Sequence, residues 1–449
     1  MNISEYFNID VCNYASYDNY RKIGSIIDGL KPSSRKCIYT ILKNNISTPK
    51  KVSQLKSDAA SQTQYLHGDQ SLEGVLVSLA QDFAGSNNIP LLKREGSFGT
   101  RLIPAAAAGR YIFTCKEDYL DKIFRKEDEP ILIEQTFEGE KIEPKFYVPI
   151  IPLLIINGSI GLTTGFSQKI LQRNPLEVIE YIEAKLNGKD VSKFSLTPWF
   201  KGFVGDVKQA EGKPVGNWIV TGKVDKLSLS ELMITEIPVN YTLEDYIAIL
   251  DDLEANKEIR EYQDLSDNGS FKFKIKLFRT EQGISANDAD LLSKLKLVTS
   301  ISESFTSFDE TNKVNEFTSI QQLIDHFFNV RLDFYRKRKE WLIKDMTKKI
   351  IETVSKYMFI CGVVGKKIVI SNKSDKEIEE QLEKIDKIIK INDSYDYLLN
   401  MPMKSLTKTN LDKLKEDIKS SKEKLDEIKA ESVEKMWLKD LAELKKVIK

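Results

Sequence analysis

The longest uninterrupted pattern in this sequence is helical and lies toward its C-terminal end. From about Ile320 to Cys361 the chain contains neither Pro nor Gly, the residues that most often end or kink a helix. A later segment carries apolar residues mostly three, four or seven positions apart, at Leu411, Leu414, Ile418, Leu425 and Ile428. This spacing places one apolar stripe on a helix and predicts an antiparallel coiled coil. The basic run Arg336–Lys339 on the first helix is interpreted as a solvated polar face.

Length and composition place only broad limits on the chain. Its 449 residues predict several domains, each able to bury a sizeable core. Four scattered Cys without paired spacing indicate a reducing compartment, with neither a zinc-ligand pattern nor a disulfide framework. No signal peptide or transmembrane run is visible, so we expect the protein to remain inside a cell.

Positive charge is concentrated between Lys22 and Lys56, although the formal net charge of the whole chain is zero. This segment has eight Lys or Arg residues and a single acidic residue, Asp28. Such clustering is typical of a nucleic-acid-binding surface. Pro32 followed by two Ser residues predicts a capped helix. That helix would carry Arg35, Lys36 and Lys43 opposite the apolar residues Cys37, Ile38, Ile41 and Leu42. An ordinary amphipathic surface helix would explain the same pattern.

The next segments predict further helices and a hairpin. Residues 69–83 have apolar side chains at helical spacing, with Asp69 as N-cap, and a short helix is expected near residues 56–64. With the basic helix, they suggest a helix-turn-helix element. Four apolar residues at 153–156, followed by Asn157-Gly158, predict a buried strand and a tight turn. Between about residues 195 and 315, short alternating runs predict strands mixed with helices.

One short segment has the chemistry to attack a phosphodiester. Tyr111 directly follows Arg110, and His67, one of only two His in the chain, lies upstream. A Tyr hydroxyl has an ordinary pKa of about 10, so a neighbouring group must accept its proton or stabilise its anion. A guanidinium can hold the charge that develops on phosphate oxygens, and an imidazole can donate a hydrogen bond or relay a proton. Taken alone, these residues are better explained as a half-buried aromatic residue and a loop or cap His.

Several ordered motifs surround these residues. They are Asp28–Pro32 with the basic residues that follow, Tyr65–Asp69, Gly85–Asn88, Gly96–Arg101 and Arg110–Phe113. Together they resemble the DNA breakage and reunion subunit of type IIA topoisomerases, and within that family most closely the separate medium subunit of T4-like bacteriophages. Leu66 departs from the pattern, because the eukaryotic enzymes have a His there, so only His67 can be matched.

The resemblance implies an α+β multidomain fold. Its parts would be an N-terminal arm (1–25), a winged-helix breakage-reunion domain with the catalytic Tyr (26–165), a mixed α/β tower domain (166–318), a long antiparallel coiled coil (319–361 and 408–449) and a small helical C-gate dimerisation domain (362–407).

The resemblance also implies roles for individual residues. Tyr111 would attack one DNA strand and form a transient 5′-phosphotyrosyl link, while Arg110 and His67 steady the reacting phosphate. The implied phosphate contacts are Arg21, Lys31, Arg35 and Lys36. Leu162 would wedge between base pairs and bend the duplex, since an apolar wedge needs size more than branching.

What the sequence lacks implies partners. We find no Gly-rich ATP-binding motif and no acidic cluster for magnesium, since Asp288-Ala289-Asp290 fits the first turn of a helix. In the T4-like arrangement these functions lie on other chains, so the resemblance implies that Mg²⁺ and ATP are held by ATPase and metal-binding (toprim) partner subunits. This chain would act as a homodimer on double-stranded DNA, in the cytoplasm or nucleoid, or in the host cytoplasm if a phage encodes it. We expect relaxation and decatenation rather than supercoiling.

Two other functions fit part of the pattern. A tyrosine recombinase needs a His-x-x-Arg set ahead of its Tyr, but Gly68, Asp69 and Gln70 follow His67. A catalytically silent DNA-bending or scaffold protein would keep the basic segment and the coiled coil. It would not need Arg110-Tyr111 in its full context.

Overall fold

The chain forms two compact units. The computed structural model describes residues 2–228, 230–267, 269–278, 288–370, 373–391, 393–402, 405 and 407–448. The first unit comprises Met1–Lys126, Leu132–Arg331 and Leu438–Lys449, and the second comprises Glu127–Ile131 and Leu332–Trp437. Helices combined with small antiparallel sheets confirm the predicted α+β class. The finer division into five segments stays a prediction.

The first unit begins with a helical arm followed by a small helical bundle. The arm runs through α1 (Ile3–Glu5), a π-helical turn (Tyr6–Val11) and α2 (Cys12–Lys22). The bundle consists of α3 (Pro32–Lys43), α4 (Val52–Gln62) and α5 (Gln70–Ala80). Its buried contacts are apolar side chains that include Ile38, Ile41, Leu55, Leu72 and Leu76. Beside it, β1 (Lys50–Lys51), β2 (Leu92–Glu95) and β3 (Phe113–Lys116) form an antiparallel sheet in the order β1-β3-β2.

Two predicted helix starts differ in detail from the structure. α3 begins directly at Pro32 with Lys31 in the N-cap position, so the two Ser residues that follow do not cap it. Pro suits the first helical position because its ring fixes φ and no N–H is needed there. Asp69 occupies the N-cap position of α5, but its backbone is already helical and its side chain makes no cap hydrogen bond. The same helix ends at Ala80 rather than at Phe83.

Short elements follow the bundle. They are α6 (Leu120–Ile123), β4 (Thr136–Phe137), β5 (Glu140–Lys141), α7 (Leu153–Ile156), β6 (Ser159–Leu162), β7 (Ser167–Ile170) and α8 (Pro175–Leu186). The strand predicted for residues 153–156 is wrong, because these residues form the buried helical turn α7. Periodicity does not distinguish a short buried strand from a short buried helix. The hairpin forms directly afterwards, from β6 and β7, with Leu162 opposite Ser167.

The remaining part of the first unit confirms the predicted mixture of strands and helices. Its strands are β8 (Asp206–Gln209), β9 (Asn217–Thr221), β10 (Lys223–Lys226), β11 (Glu231–Glu236), β12 (Glu261–Asp264), β13 (Phe273–Lys276), β14 (Val298–Ser302), β15 (Thr306–Phe308) and β16 (Val314–Glu316). Its helices are α9 (Leu243–Ala255) and α10 (Asp288–Lys294). The sheets have the orders β14-β9-β8, β10-β11-β13-β12 and β15-β16. One face of the four-stranded sheet packs on α9 around Tyr246 and Phe273.

Long helices dominate the second unit. α11 (Ile320–Val364) has 45 residues and enters this unit at Leu332. The later helices are α12 (Asp375–Glu383), α13 (Asp396–Leu399), α14 (Lys408–Ala430) and α15 (Val433–Lys445). Lys339 Nζ donates to the backbone oxygen of Lys429 at 2.9 Å, and Phe359 shares an apolar cluster with Leu411. The two long helices are therefore antiparallel, as predicted. No helix in the described ranges is both long and apolar enough to cross a membrane.

Two features of the second unit differ from expectation. The returning helix is interrupted between α14 and α15. Arg338 does not lie on a solvated face, because it is buried and its Nε donates to Asp128 Oδ1 at 2.6 Å. Its guanidinium also lies 4.3 Å from the ring centroid of Tyr335, which stacks on buried Trp437. Four consecutive residues span a full helical turn, so one member of the basic run faces inward.

Candidate functional site

The turn between Ala108 and Ile112 presents two adjacent side chains to solvent. Tyr111 is 66% exposed, and Arg110 is also exposed. The guanidinium carbon of Arg110 lies 5.0 Å from the centroid of the Tyr111 ring. Within residues 2–228 we find no hydrogen-bond partner for the Tyr111 hydroxyl. The two groups that the chemistry needs therefore lie side by side and remain accessible to a ligand outside the chain.

The backbone of this turn is fixed on both sides. Ser53 and Val52, the first residues of α4, donate their N–H groups to the oxygens of Gly109 and Ile112, each at 3.1 Å. The N–H of Tyr111 donates to Ala108 at 2.9 Å and closes the turn. The turn thus accepts two of the hydrogen bonds that a helix N-terminus leaves unmade. The exposed side chains project from a backbone that is held in place.

His67 lies in a cluster of aromatic residues that includes a member of the arm. Its Nε2 lies 2.6 Å from the hydroxyl of Tyr17 on α2, and the Tyr65 ring packs edge-on to the imidazole at 5.4 Å. The Arg21 guanidinium lies 5.4 Å from the centroid of the Tyr17 ring. Two predicted site residues are therefore joined through Tyr17, which sequence reasoning did not identify. The available signal was that Tyr17 and Arg21 are one helical turn apart.

The β6–β7 hairpin brings Lys31 close to Leu162, two further residues of the predicted site. Lys31 Nζ donates to the backbone oxygen of Ile160 at 2.7 Å, and burial lowers the pKa of this Lys. Leu162 is 72% exposed, as a wedge must be, and Ile160 is 61% exposed. Alternate residues of a strand point to the same side, so the hairpin displays two apolar side chains together. Sequence reasoning named only Leu162, although the strand period of two would have identified its neighbour.

The hairpin is held against the arm. The N–H of Thr164 donates to Asp18 Oδ2 at 3.1 Å, and the N–H of Gly24 donates to Gln168 Oε1 at 2.9 Å. A Cβ on Gly161 would lie 2.3 Å from the backbone oxygen of Lys22. The hairpin backbone therefore approaches the end of α2 closely at this glycine.

Arg35 and Lys36, expected to contact phosphate, are committed to partners within the chain. Arg35 is only 4% exposed, and its Nε donates to Asp28 Oδ2 at 2.7 Å. Burial opposes the charged guanidinium, but the Asp28 carboxylate outweighs it and raises the pKa of Arg35. Lys36 Nζ lies 2.8 Å from Glu143 Oε1 and also donates to the oxygen of Thr63. These ion pairs weigh against phosphate contacts at the two residues, because buried charges need fixed counter-charges.

Similar ion pairs reduce the free charge of the basic segment. Lys22 pairs with Asp18 at 2.8 Å, and Lys56 pairs with Glu73 at 3.0 Å. Half of the eight cations counted in the sequence thus have a carboxylate partner in the fold. The surface available to DNA is less positive than the sequence count indicated.

The Gly96–Arg101 motif has a structural task. The Arg101 guanidinium forms an ion pair with Glu236 and lies between the rings of Phe203 and Phe271, 5.4 and 4.8 Å from their centroids. Gly99 has φ +86°, and a Cβ there would lie 2.4 Å from the oxygen of Pro104. Through Arg101 this motif is joined to β11 of the four-stranded sheet.

The predicted residues fall into two groups. Arg21, His67, Lys31 and Leu162 are connected through α2 and the hairpin, whereas Arg110 and Tyr111 form a separate pair. Within residues 2–228 no hydrogen bond or ring contact joins Tyr111 to His67. The described residues also contain no group of three or more His, Cys, Asp or Glu side chains that could hold a metal ion.

Comparisons with known proteins identify the family. The family model for the DNA gyrase/topoisomerase IV A subunit matches residues 21–442. The chain is 34% identical to the mitochondrial DNA topoisomerase 2 of Dictyostelium discoideum over 99% of its own length and 35% of that protein. It is 32% identical to DNA topoisomerase 2 of Invertebrate iridescent virus 6, over 100% of this chain and 39% of the viral protein. The chain thus spans somewhat more than a third of these relatives.

A solved structure agrees with this assignment. The Plasmodium falciparum topoisomerase II DNA-binding, cleavage and re-ligation domain superposes with a TM-score of 0.87 and is 31% identical, covering 99% of this chain and 64% of that one. The likeness extends over nearly the whole chain, so it includes both the turn with Tyr111 and the long helices. The chain therefore belongs to the DNA gyrase/topoisomerase IV family of type IIA topoisomerases.

Proposed function

We propose that this chain is the DNA-cleaving and religating subunit of an ATP-dependent type IIA topoisomerase, an isomerase that passes one duplex through a transient double-strand break in another. The observation that carries the proposal is the exposed Arg110-Tyr111 pair on a turn whose backbone is fixed from both sides. A fixed turn holds a nucleophile and a cation in one geometry, which is the main requirement for attack on a phosphate.

In the proposed reaction the Tyr111 hydroxyl oxygen attacks phosphorus and loses its proton. The bond from phosphorus to the 3′ oxygen breaks, that oxygen takes up a proton, and the 5′ phosphate remains on the tyrosine. The Arg110 guanidinium holds the non-bridging oxygens, where negative charge develops. The reverse attack by the 3′ hydroxyl reseals the strand, because the phosphotyrosyl ester conserves the energy of the broken phosphodiester bond.

The group of residues connected through α2 and the hairpin would bind the DNA around this centre. Arg21 and Lys31 would contact phosphates, and His67 would donate a hydrogen bond to a phosphate oxygen. Leu162 would insert between base pairs and bend the duplex, for which its exposure is suitable. Ile160 on the same side of the hairpin would extend the apolar contact.

We further propose that Mg²⁺ and ATP are held by partner subunits, in the separate-chain arrangement of T4-like phages. The described residues offer no cluster that fits a metal ion, so the steps assigned to this chain are binding, orientation and nucleophilic attack. The proposed assembly is a homodimer of this chain with ATPase and metal-binding subunits, acting on double-stranded DNA inside a cell. Within it, α3–α5 with β1–β3 would form the winged helix, residues 166–318 the tower, and the second unit the coiled coil and C-gate.

The decisive test is covalent trapping. The chain is mixed with its partner subunits, supercoiled DNA and Mg²⁺ or Ca²⁺, and the reaction is stopped with detergent. Wild-type protein is expected on the 5′ ends, whereas Tyr111→Phe should leave none while it still binds DNA. Absence of wild-type adducts would favour a silent DNA-bending or scaffold protein, and adducts on Tyr111→Phe would show that another residue is the nucleophile.

A further inference from the structure

A carboxylate from α5 reaches the backbone immediately before the Arg110-Tyr111 pair. Glu73 Oε1 accepts a hydrogen bond from the N–H of Gly109 at 2.8 Å. The Lys56 ammonium lies 3.0 Å from Glu73 Oε2, and both side chains are largely buried, with 14% and 15% exposed. Lys56 is itself steadied by Gln70, whose Oε1 accepts at 2.8 Å. The sequence contains no local signal for this link, which joins residues 36 positions apart.

The Glu73 carboxyl group is stabilised in its ionised form, which accepts hydrogen bonds. Burial disfavours the charged form, but the Lys56 ammonium and the Gly109 amide outweigh burial and lower the pKa of Glu73. The other groups near it are Asp69, 3.8 Å from the Lys56 ammonium, and Gln70. A hydrogen bond from an amide to an ionised carboxylate is stronger than one between neutral groups.

Gly109 and Glu73 are matched in size as well as in charge. A Cβ on Gly109 would lie 2.6 Å from the carboxyl carbon of Glu73 and 2.7 and 2.9 Å from its oxygens. Carbon atoms in contact prefer separations of about 3.5–4.0 Å. A side chain at position 109 would therefore require the Glu73 carboxylate to move away from the Gly109 amide.

We propose that Glu73, held by Lys56, is a positioning residue for DNA cleavage: it fixes the backbone at Gly109 so that Arg110 and Tyr111 meet the same phosphate. This inference rests on the proposed role of Tyr111. The other hydrogen bonds described for the turn, from Ser53, Val52 and Tyr111, are made by the backbone, so a substitution at position 73 removes none of their donors or acceptors. Glu73 is the side chain through which the turn can be loosened without unfolding it.

The first experiment separates positioning from DNA binding. In the assembled enzyme, Glu73→Ala should slow single-turnover formation of the covalent complex by about 10- to 100-fold, since small misplacements of reacting groups have effects of this order. The DNA dissociation constant should not change. Glu73→Gln keeps an acceptor oxygen and should recover part of the rate. Asp118→Ala is the matched control, because Asp118 also pairs with a Lys, at 2.7 Å, but is exposed.

The second experiment uses the steric match. Gly109→Ala alone should slow cleavage about as much as Glu73→Ala, because its methyl group displaces the carboxylate. The double variant should be no slower than Glu73→Ala, since the colliding carboxylate is gone. Two independent losses that multiply in the double variant would overturn the proposal, as contacting residues are expected to be non-additive.

A readout independent of activity completes the test. Hydrogen exchange of a peptide covering residues 105–113 should accelerate in Glu73→Ala and remain near wild type in Asp118→Ala. Unchanged exchange, or wild-type cleavage by Glu73→Ala, would overturn the positioning role while leaving Tyr111 as the nucleophile. Failure of the wild-type enzyme to form any covalent complex would instead overturn the proposed function. If Glu73→Ala does not fold, Glu73→Gln and Gly109→Ala answer the same questions.

Discussion

The turn that carries Arg110 and the helix that carries Arg35 place the same kind of side chain in opposite environments, one exposed and the other buried. Both residues were expected from sequence to hold phosphate. Arg110 is exposed next to Tyr111, whereas Arg35 is buried on α3 and donates to Asp28. A count of cations in a sequence therefore measures how many are present, and it does not measure how many can reach a ligand. Substitutions at either kind of residue test this difference.

The largest effect is expected on stability, at Arg35. Replacing it by Ala leaves the Asp28 carboxylate buried without its cation, and loss of one partner of a buried pair costs about 3–5 kcal/mol. Urea denaturation should show this decrease in the free energy of unfolding. Lys22→Ala removes a half-exposed cation from its pair with Asp18 and should cost less than about 1 kcal/mol. A stable Arg35→Ala protein with weakened DNA binding would contradict the structural role.

The next effect is expected on catalysis, at Arg110. Arg110→Ala should slow covalent-complex formation by about 10²–10³-fold, the usual cost of removing one group that stabilises developing charge. The free energy of unfolding should change little, because the side chain is exposed. Arg110→Lys keeps the positive charge but loses the bidentate geometry of the guanidinium. Its rate of covalent-complex formation should lie between those of wild type and Arg110→Ala. Arg94→Ala, which removes another surface Arg paired with Asp82, serves as the control.

A smaller effect is expected on DNA binding, where Lys31 and Lys36 form a matched pair. Lys31 donates one hydrogen bond to Ile160 and keeps two donors for phosphate. Lys31→Met should weaken binding and reduce the slope of log affinity against log salt by about 1. Lys36→Met should leave that slope unchanged, because its ammonium already lies against Glu143. Equal slopes for both variants would show that Lys31 does not touch phosphate.

The smallest effect is expected at Tyr17. Tyr17→Phe removes the hydroxyl that lies 2.6 Å from His67 Nε2 and should cost about 1 kcal/mol, or roughly fivefold in cleavage rate. The readout is the single-turnover rate of wild type, Tyr17→Phe, His67→Ala and the double variant. If the hydroxyl acts through His67, it has no effect once that His is gone. Additive losses in the double variant would show that Tyr17 and His67 act independently.

Local patterns in the sequence predicted much of the fold. The Pro- and Gly-free stretch lies within one 45-residue helix, and the spaced Leu and Ile residues lie on its antiparallel partner. Such patterns succeed because helix periodicity and chain breakers act within a few residues. The run at 153–156 was assigned to the wrong element, since four apolar residues are too few to show a period.

The site was predictable only where its functional residues are neighbours in the sequence. The adjacency of Arg110 and Tyr111 is visible in the sequence, and the structure places both at the surface. Contacts that join distant segments could not be read in this way. Tyr17 meets His67 across 50 positions, and Glu73 meets Gly109 across 36.

By itself, the sequence determined the family, the nucleophile expected from it and the long antiparallel helices, because ordered motifs and periodicity are properties of neighbouring residues. The tertiary structure decided which cations are free. It placed Arg35 against Asp28 and Lys36 against Glu143, and it left Lys31 beside the exposed hairpin. The physical reason is that burial and counter-charges are set by segments far apart in the chain, and these decide whether a charged side chain binds a ligand or stabilises the fold.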